Sequence, residues 1–284
     1  MEQKYILENI KSFEPVHIFE CGQCFRWNKE EDGSYTGVVK NNVINVKKED
    51  EKIIITGNCD GDIKEVCSEY FDLKTSYENI KENLSKIDKY LANSIQYGTG
   101  IRILKQDLWE TLISFIISAN NNIPRIKTIK ERISKKYGNK ITFKGKEYYT
   151  FPIPKQLANA TVQNFRDLGL GFRDVRVYET VQRTLRGEIN LENLRNESDV
   201  QVLREELLKI PGVGPKVADC IMLFSLEKYE VFPVDVWVRR VISELYFENK
   251  EQQPKTIQKF AKEHYGNLAG LAQQYLFYWR RELA

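Results

Sequence analysis

Two helix-period stretches, "ESDVQVLREELLKI" (197–210) and "VADCIMLFSLEK" (217–228), are joined by very little chain. Only Pro211-Gly212-Val213-Gly214 and the following Pro215-Lys216 are left to turn the backbone. So short a connection forces the two helices to lie side by side as a hairpin. The glycines accept the positive φ that such a turn needs. Backbone N–H groups at Gly212, Val213 and Gly214, with those opening the second helix, then point outward together. They form an anion site suited to a phosphodiester without any side-chain charge. An ordinary helical turn is the alternative.

The hairpin belongs to a largely helical second part. Before it, residues 23–57 read as strands: "QCFRW", "YTGVVK", "NVINVKK" and "KIIITG" are short, β-rich and separated by turn-like segments. They predict an antiparallel meander with one wet face. After Gly61 apolar residues recur at three- and four-residue intervals, and about ten helices follow. "DLWETLISFIISANN" is apolar nearly all round and reads as a central buried helix. The fold class is therefore α+β. An antiparallel sheet domain with helices over 1–100 precedes helical domains over 101–284, and the last helix packs back on the first part.

Composition excludes several classes of protein. The 284 residues are 42% hydrophobic and 29% charged, which suits a globular protein with a substantial core. No window approaches eighteen uncharged apolar residues, so no membrane association is expected. The charged N-terminal stretch lacks the apolar core of a signal peptide, so a cytoplasmic location is expected, on the nucleoid if the source is prokaryotic. Five cysteines, an odd number, are expected to be free thiols. Cys21 and Cys24 could open a zinc site with Cys59 and Cys67, but uneven spacing and a strand-like setting argue against it. No metal is expected. Net charge is +3 but unevenly spread: residues 120–240 carry 22 Lys/Arg against 15 Asp/Glu, whereas residues 1–119 carry 15 against 20. A polyanion is a plausible partner for the basic middle third.

Lys216 follows the hairpin directly, where the partly positive helix start disfavours a cation. Apolar neighbours add a desolvation cost, and both effects are expected to lower the ammonium pKa. Two roles fit: a neutral amine available as a nucleophile, or a surface lysine on phosphate. Cys220 lies one helical turn on, on the same face. Asp235, in "VFPVDVWVRR", is a natural N-cap for the helix that follows. It is either a structural cap alone or a carboxylate able to steady developing positive charge near the lysine.

"PGVGPKVADC" followed by "VFPVDV" resembles the 8-oxoguanine DNA glycosylase/AP lyase family of the helix–hairpin–helix superfamily. "CGQCFRW" (21–27), "ILKQDLWETLISFIISANNNIPRI" (103–126), "LGLGFR" (168–173) and "LAQQYLF" (271–277) resemble further family segments, in family order and over most of the chain. The resemblance implies excision of 8-oxoguanine from duplex DNA, followed by strand scission at the abasic site, with no cofactor. By the matching positions, Lys216 would attack the sugar C1′ and form a Schiff base that permits β-elimination, while Asp235 would stabilise the transition state. The damaged base would first be flipped from the stack. Gln273 would bind its edge, Phe277 and Cys220 would flank its faces, and the carbonyl of Gly22 would accept the N7 hydrogen that guanine lacks. Asn120, Arg125 and Arg173 match residues that read the orphaned cytosine, and Phe172 matches the wedge.

Phe172 stands where many members carry Tyr, Trp237 where others have His, and Cys24 where a small hydroxyl residue is usual. Opposite-base preference is accordingly less well defined than lesion preference. The expected partner is duplex DNA containing 8-oxoguanine, bound by a monomer. A relative acting on oxidised pyrimidines would commonly carry a four-cysteine cluster, an alkyl-base glycosylase would lack the lysine, and a non-catalytic DNA-binding module would need neither Lys216 with Asp235 nor Gln273 with Phe277.

Overall fold

The computed structural model describes residues 2–283. Five antiparallel strands form the N-terminal sheet: β1 (Glu2–Glu8), β2 (Trp27–Lys29), β3 (Tyr35–Val39), β4 (Asn42–Glu49) and β5 (Lys52–Asn58), in the order β1-β5-β4-β3-β2. β3, β4 and β5 fall where the β-rich runs predict them. The expected strand over "QCFRW" begins only at Trp27. Residues 21–26 instead form a loop whose buried Gln23 binds the carbonyls of Ile18 and Arg102. The chain's own N-terminus supplies β1, paired to β5 along its whole length. Its side chains are mostly exposed, so the residues carry little apolar alternation.

Helices α1 (Pro15–Glu20) and α2 (Ile63–Tyr70) cover one face of the sheet. Trp27 stacks on Phe19 with ring centroids 3.9 Å apart, and a Cβ on Gly37 would meet the Trp27 ring at 2.4 Å. A glycine is therefore required beneath the indole. Helices α3 (Tyr77–Ser85) and α4 (Lys89–Tyr97) leave this core and join the larger helical one through Tyr77, Leu84 and Leu91.

The helical part runs through α5 (Leu108–Ser118), α6 (Ile123–Tyr137), α7 (Val162–Asp167), α8 (Asp174–Leu185), α9 (Leu191–Asn196), α10 (Val200–Leu208), α11 (Pro215–Ser225), α12 (Val236–Tyr246), α13 (Pro254–Tyr265) and α14 (Ala269–Glu282). α5 is buried along nearly its whole length, as its all-round apolar character predicts, and it packs on α11. α14 packs against α4, and Tyr275 in its middle bonds the Ile101 carbonyl at 3.4 Å. The last helix thus returns to α4 and the segment that follows it.

A further hairpin, β6 (Lys140–Phe143) with β7 (Lys146–Tyr149), follows α6 and was not anticipated. It reaches back to the sheet, where Phe143 packs with Val38 and Val43 and Asn58 bonds the Thr142 carbonyl. Among the described residues, no helix is long and apolar enough to cross a membrane.

Candidate active site

α10 and α11 form the expected helical hairpin, with the turn at residues 211–214. Only one of its glycines uses left-handed backbone. Gly212 has φ +84°, and a Cβ there would sit 2.8 Å from Arg176 Cδ. Gly214 has φ −97° and needs no such freedom, and a Cβ on it would meet nothing within 4 Å. Its bareness opens the turn to an outside group rather than relieving strain within. Val213 departs from the expected row of outward N–H groups: its side chain turns into the core and its N–H donates to the Ile210 carbonyl, within the turn. Pro215 opens α11 and no side chain caps it, so the N–H groups of its first turn face outward without a side-chain acceptor.

Lys216 is partly buried, with its ammonium 5.2 Å from the centroid of the Phe115 ring and the Cys220 thiol nearby. Its pKa departs from the sequence-based expectation. Burial does oppose the charge, but Cys220 and Asp235 outweigh it, and the pKa is raised above the ordinary lysine value. The sequence shows the helix start and the apolar neighbours; the groups that favour the charge are a thiol one turn along the helix and a carboxylate from another loop. Burial pushes the Cys220 thiol up to about 11, with the nearby ammonium opposing the rise. Asp235 caps α12, accepting the Val238 N–H at 2.8 Å. The cap and the proximity to Lys216 are both present, so neither reading of this residue excludes the other.

A cavity of about 460 Å³ brings the predicted pocket together: Gly22, Lys216, Cys220, Asp235, Gln273 and Phe277 all line it, with Asn120 at one side. These side chains come from the 21–26 loop, α11, the start of α12 and α14. Gly22, at φ +85°, lies so close to Phe277 that a Cβ would be 3.2 Å from its ring. Trp237, where the family pattern has His, also lines the cavity. Several lining residues were not singled out from the sequence. Phe115 and Phe25 are hidden among the many apolar residues of their segments. Gln274 had a readable signal: two adjacent glutamines in an otherwise apolar stretch.

The remaining predicted residues gather beside the cavity. Of the Asn120-Asn121-Asn122 run, Asn122 caps α6 by accepting the Arg125 N–H at 3.0 Å, and Asn121 bonds back to Ile117. Asn120 is exposed at φ +50°, with no side-chain hydrogen bond among the described residues. Arg125 is exposed and reaches the Gly169 carbonyl at 3.3 Å. Phe172 is 55% exposed, with the Arg173 and Arg176 guanidinium carbons 4.2 and 5.4 Å from its ring centroid. Arg173 differs from the expectation of a donor-rich side chain open to a base edge. It is 2% exposed and spends its guanidinium on the carbonyls of Ala119, Asn120 and Leu170. In this state it ties the turn after α5 to the turn before α8.

Among the described residues, no group of three or more His, Cys, Asp or Glu side chains is placed to hold a metal ion, and the five cysteines are unbridged.

Residues 5–112 match the family model of the 8-oxoguanine DNA glycosylase N-terminal domain, and residues 113–266 match that of the HhH-GPD superfamily of base excision DNA repair proteins. An N-glycosylase/DNA lyase of Saccharomyces cerevisiae is 33% identical over 256 residues, spanning 81% of this chain and 68% of that one. The 8-oxoguanine glycosylase/lyase of Clostridium acetobutylicum in its apo form is 46% identical, with a TM-score of 0.92 over 98% of this chain and 97% of the other. The same protein with double-stranded DNA containing cytosine opposite 8-oxoguanine gives a TM-score of 0.94 at 45% identity, over 100% and 98%.

Proposed function

This chain belongs to the 8-oxoguanine DNA glycosylase family of HhH-GPD base excision repair proteins, and from that premise we propose that its cavity excises 8-oxoguanine from duplex DNA and then cleaves the strand. The observation that carries the reading is the convergence of Gly22, Lys216, Cys220, Asp235, Gln273 and Phe277 on one cavity, from segments up to 255 positions apart in the chain.

The flipped base lies between Phe277 and Cys220, with its edge on Gln273 and its N7–H on the Gly22 carbonyl. One such bond, with the cost of an unpaired buried acceptor when guanine enters instead, is worth roughly 1–3 kcal/mol. That supplies one to two decades of selectivity, so other contacts must add to it. Lys216 is the nucleophile. It rests protonated, held so by Cys220 and Asp235. A base seated against Cys220 completes the burial of the amine, which together with the helix start favours its neutral form, the proton leaving to solvent. The amine nitrogen bonds to C1′ as the glycosidic bond breaks, the base departs with the bonding electrons, and the proton shed by the attacking nitrogen passes to it. The Asp235 carboxylate steadies the positive charge that develops on the sugar. Ring opening gives the Schiff base, loss of a C2′ proton expels the 3′ phosphate by β-elimination, and water releases Lys216.

The hairpin anchors the DNA backbone through Gly212, Gly214 and the first turn of α11, the Val213 N–H being held by Ile210. Asn120 and Arg125 read the orphaned base, Phe172 fills the gap in the stack, and Arg173 joins them if DNA frees it from its carbonyls. The protein acts as a monomer, with residues 1–100 and 101–284 as its working units. Borohydride reduction tests the reading. An 8-oxoguanine duplex should trap the wild type covalently, and Lys216→Gln should abolish trapping while retaining duplex binding. Trapping that survives the substitution removes Lys216 from the mechanism.

A further inference from the structure

Gln273 and Gln274 are adjacent on α14, 5% and 3% exposed, and both line the cavity. Neighbours on a helix point roughly 100° apart, yet here the two amides meet: Gln274 Nε2 donates to Gln273 Oε1 at 3.3 Å. The other end of Gln274, its Oε1, is buried without a hydrogen-bond partner among the described residues. Burying an amide with one end unpaired is costly, and Leu or Met would fill the same volume at no such cost. Packing alone therefore does not account for a second glutamine.

A lone Gln amide can turn over, because its two ends are similar in size, and turning over exchanges a donor for an acceptor. Gln274 restricts that freedom, since Gln273 can turn over alone only by losing this contact. With Gln273 Oε1 engaged, the NH₂ of Gln273 is the end left for a ligand.

We propose that Gln274 is a positioning residue that fixes which end of the Gln273 amide meets the flipped base, and so sets selectivity for that base's Watson–Crick edge. The inference rests on the reading of this cavity as a base pocket. A guanine-type edge carries an acceptor at O6, beside donors at N1 and N2; an adenine-type edge carries a donor at N6 and an acceptor at N1. An NH₂ held toward the ligand pairs with O6 of an oxidised guanine and opposes the N6 amino group of an oxidised adenine. An amide free to turn over accepts either.

Gln274→Met keeps the length of the side chain and releases Gln273. Gln274→Glu, when ionised, can only accept, so it draws the Gln273 NH₂ toward itself and turns the carbonyl to the ligand. The test compares single-turnover release of 8-oxoguanine and of 8-oxoadenine from the same duplex context by wild type and both variants. Alongside, borohydride trapping on a duplex with a preformed abasic site, which offers no base to read, reports on Lys216 and the fold. Both variants should keep trapping within about twofold of wild type. The ratio of 8-oxoguanine to 8-oxoadenine release should fall about tenfold in Gln274→Met and further in Gln274→Glu. An unchanged ratio in both variants overturns the inference. So does a parallel loss of base release and abasic-site trapping in both, which would make Gln274 a purely structural residue. A wild type that traps on the abasic duplex but releases no 8-oxoguanine sinks the pocket reading, and this inference with it.

Discussion

Asp235 holds two roles in one carboxylate, and the two can be separated. Its Oδ1 caps α12 through the Val238 N–H, and its charge sits close enough to Lys216 to help keep the amine protonated. Asn retains the cap and loses the charge; Ala loses both. Asp235→Asn should leave the chemical denaturation midpoint near wild type but slow base release by roughly 10²–10⁴-fold. Asp235→Ala should slow it similarly and also lose about 1 kcal/mol of stability. Equal stability of the two variants would mean that the cap contributes nothing. Lys216 shows the limit of reading one residue from its neighbours along the chain. The helix start and the apolar flanks were visible in "PGVGPKVADC" and argue for a lowered pKa. Cys220 and Asp235 reverse the direction, and the approach of Asp235 depends on how α12 is placed against α11. Arg173 teaches the same point. Its side-chain chemistry was legible, but not the three carbonyls that claim its donors.

The α10–α11 hairpin is held by a buried ion pair as well as by its turn. Asp219 on α11 is fully buried; Arg204 on α10 pairs with its Oδ1, and Gln258 on α13 donates to its Oδ2 at 2.8 Å. Burial pushes this carboxyl up to about 6, with Arg204 and Gln258 opposing the rise. Removing Arg204 leaves burial less opposed, so the folded pKa climbs further while the unfolded value stays near 4. The folded variant then retains a proton that its unfolded chain has lost, and its stability falls as pH rises through that interval. Arg204→Met should therefore cost about 3–5 kcal/mol at pH 8 and distinctly less at pH 5, read from urea denaturation at the two values. A cost independent of pH would show that Asp219 is not the group left unpaired. Elements with strong internal patterning were the legible ones. α5, α11, α12 and the β3–β5 meander fall where apolar spacing, caps and turns place them. β1 and the β6–β7 hairpin escaped, because each is mostly exposed and gains its partner from far along the chain. β1 needs β5 beside it, and β6–β7 needs the sheet against which Phe143 packs.

The whole molecule has to bring a basic middle third onto a polyanion. The +7 excess over residues 120–240 includes Arg125, Arg173 and Arg176 around Phe172, beside the cavity. Binding to duplex DNA should weaken steeply with salt, the log–log slope being about −0.9 for each phosphate neutralised. A flat response between roughly 50 and 200 mM salt would argue against backbone anchoring by the hairpin and this basic region. The sequence by itself determined the α+β order, the helical hairpin, the cap at Asp235, and the types of side chain available for chemistry. These rest on local rules: period, turn residues and capping act over a few positions. Only the tertiary structure decided that Gly22 meets Phe277, that Lys216 keeps its proton, that Arg173 is occupied, and that Gln274 holds Gln273. Except for the adjacent Gln pair, these contacts join residues from segments distant in the chain. Even in that pair, burial of both amides against the cavity, set by the packing of α14, leaves each the other as its partner.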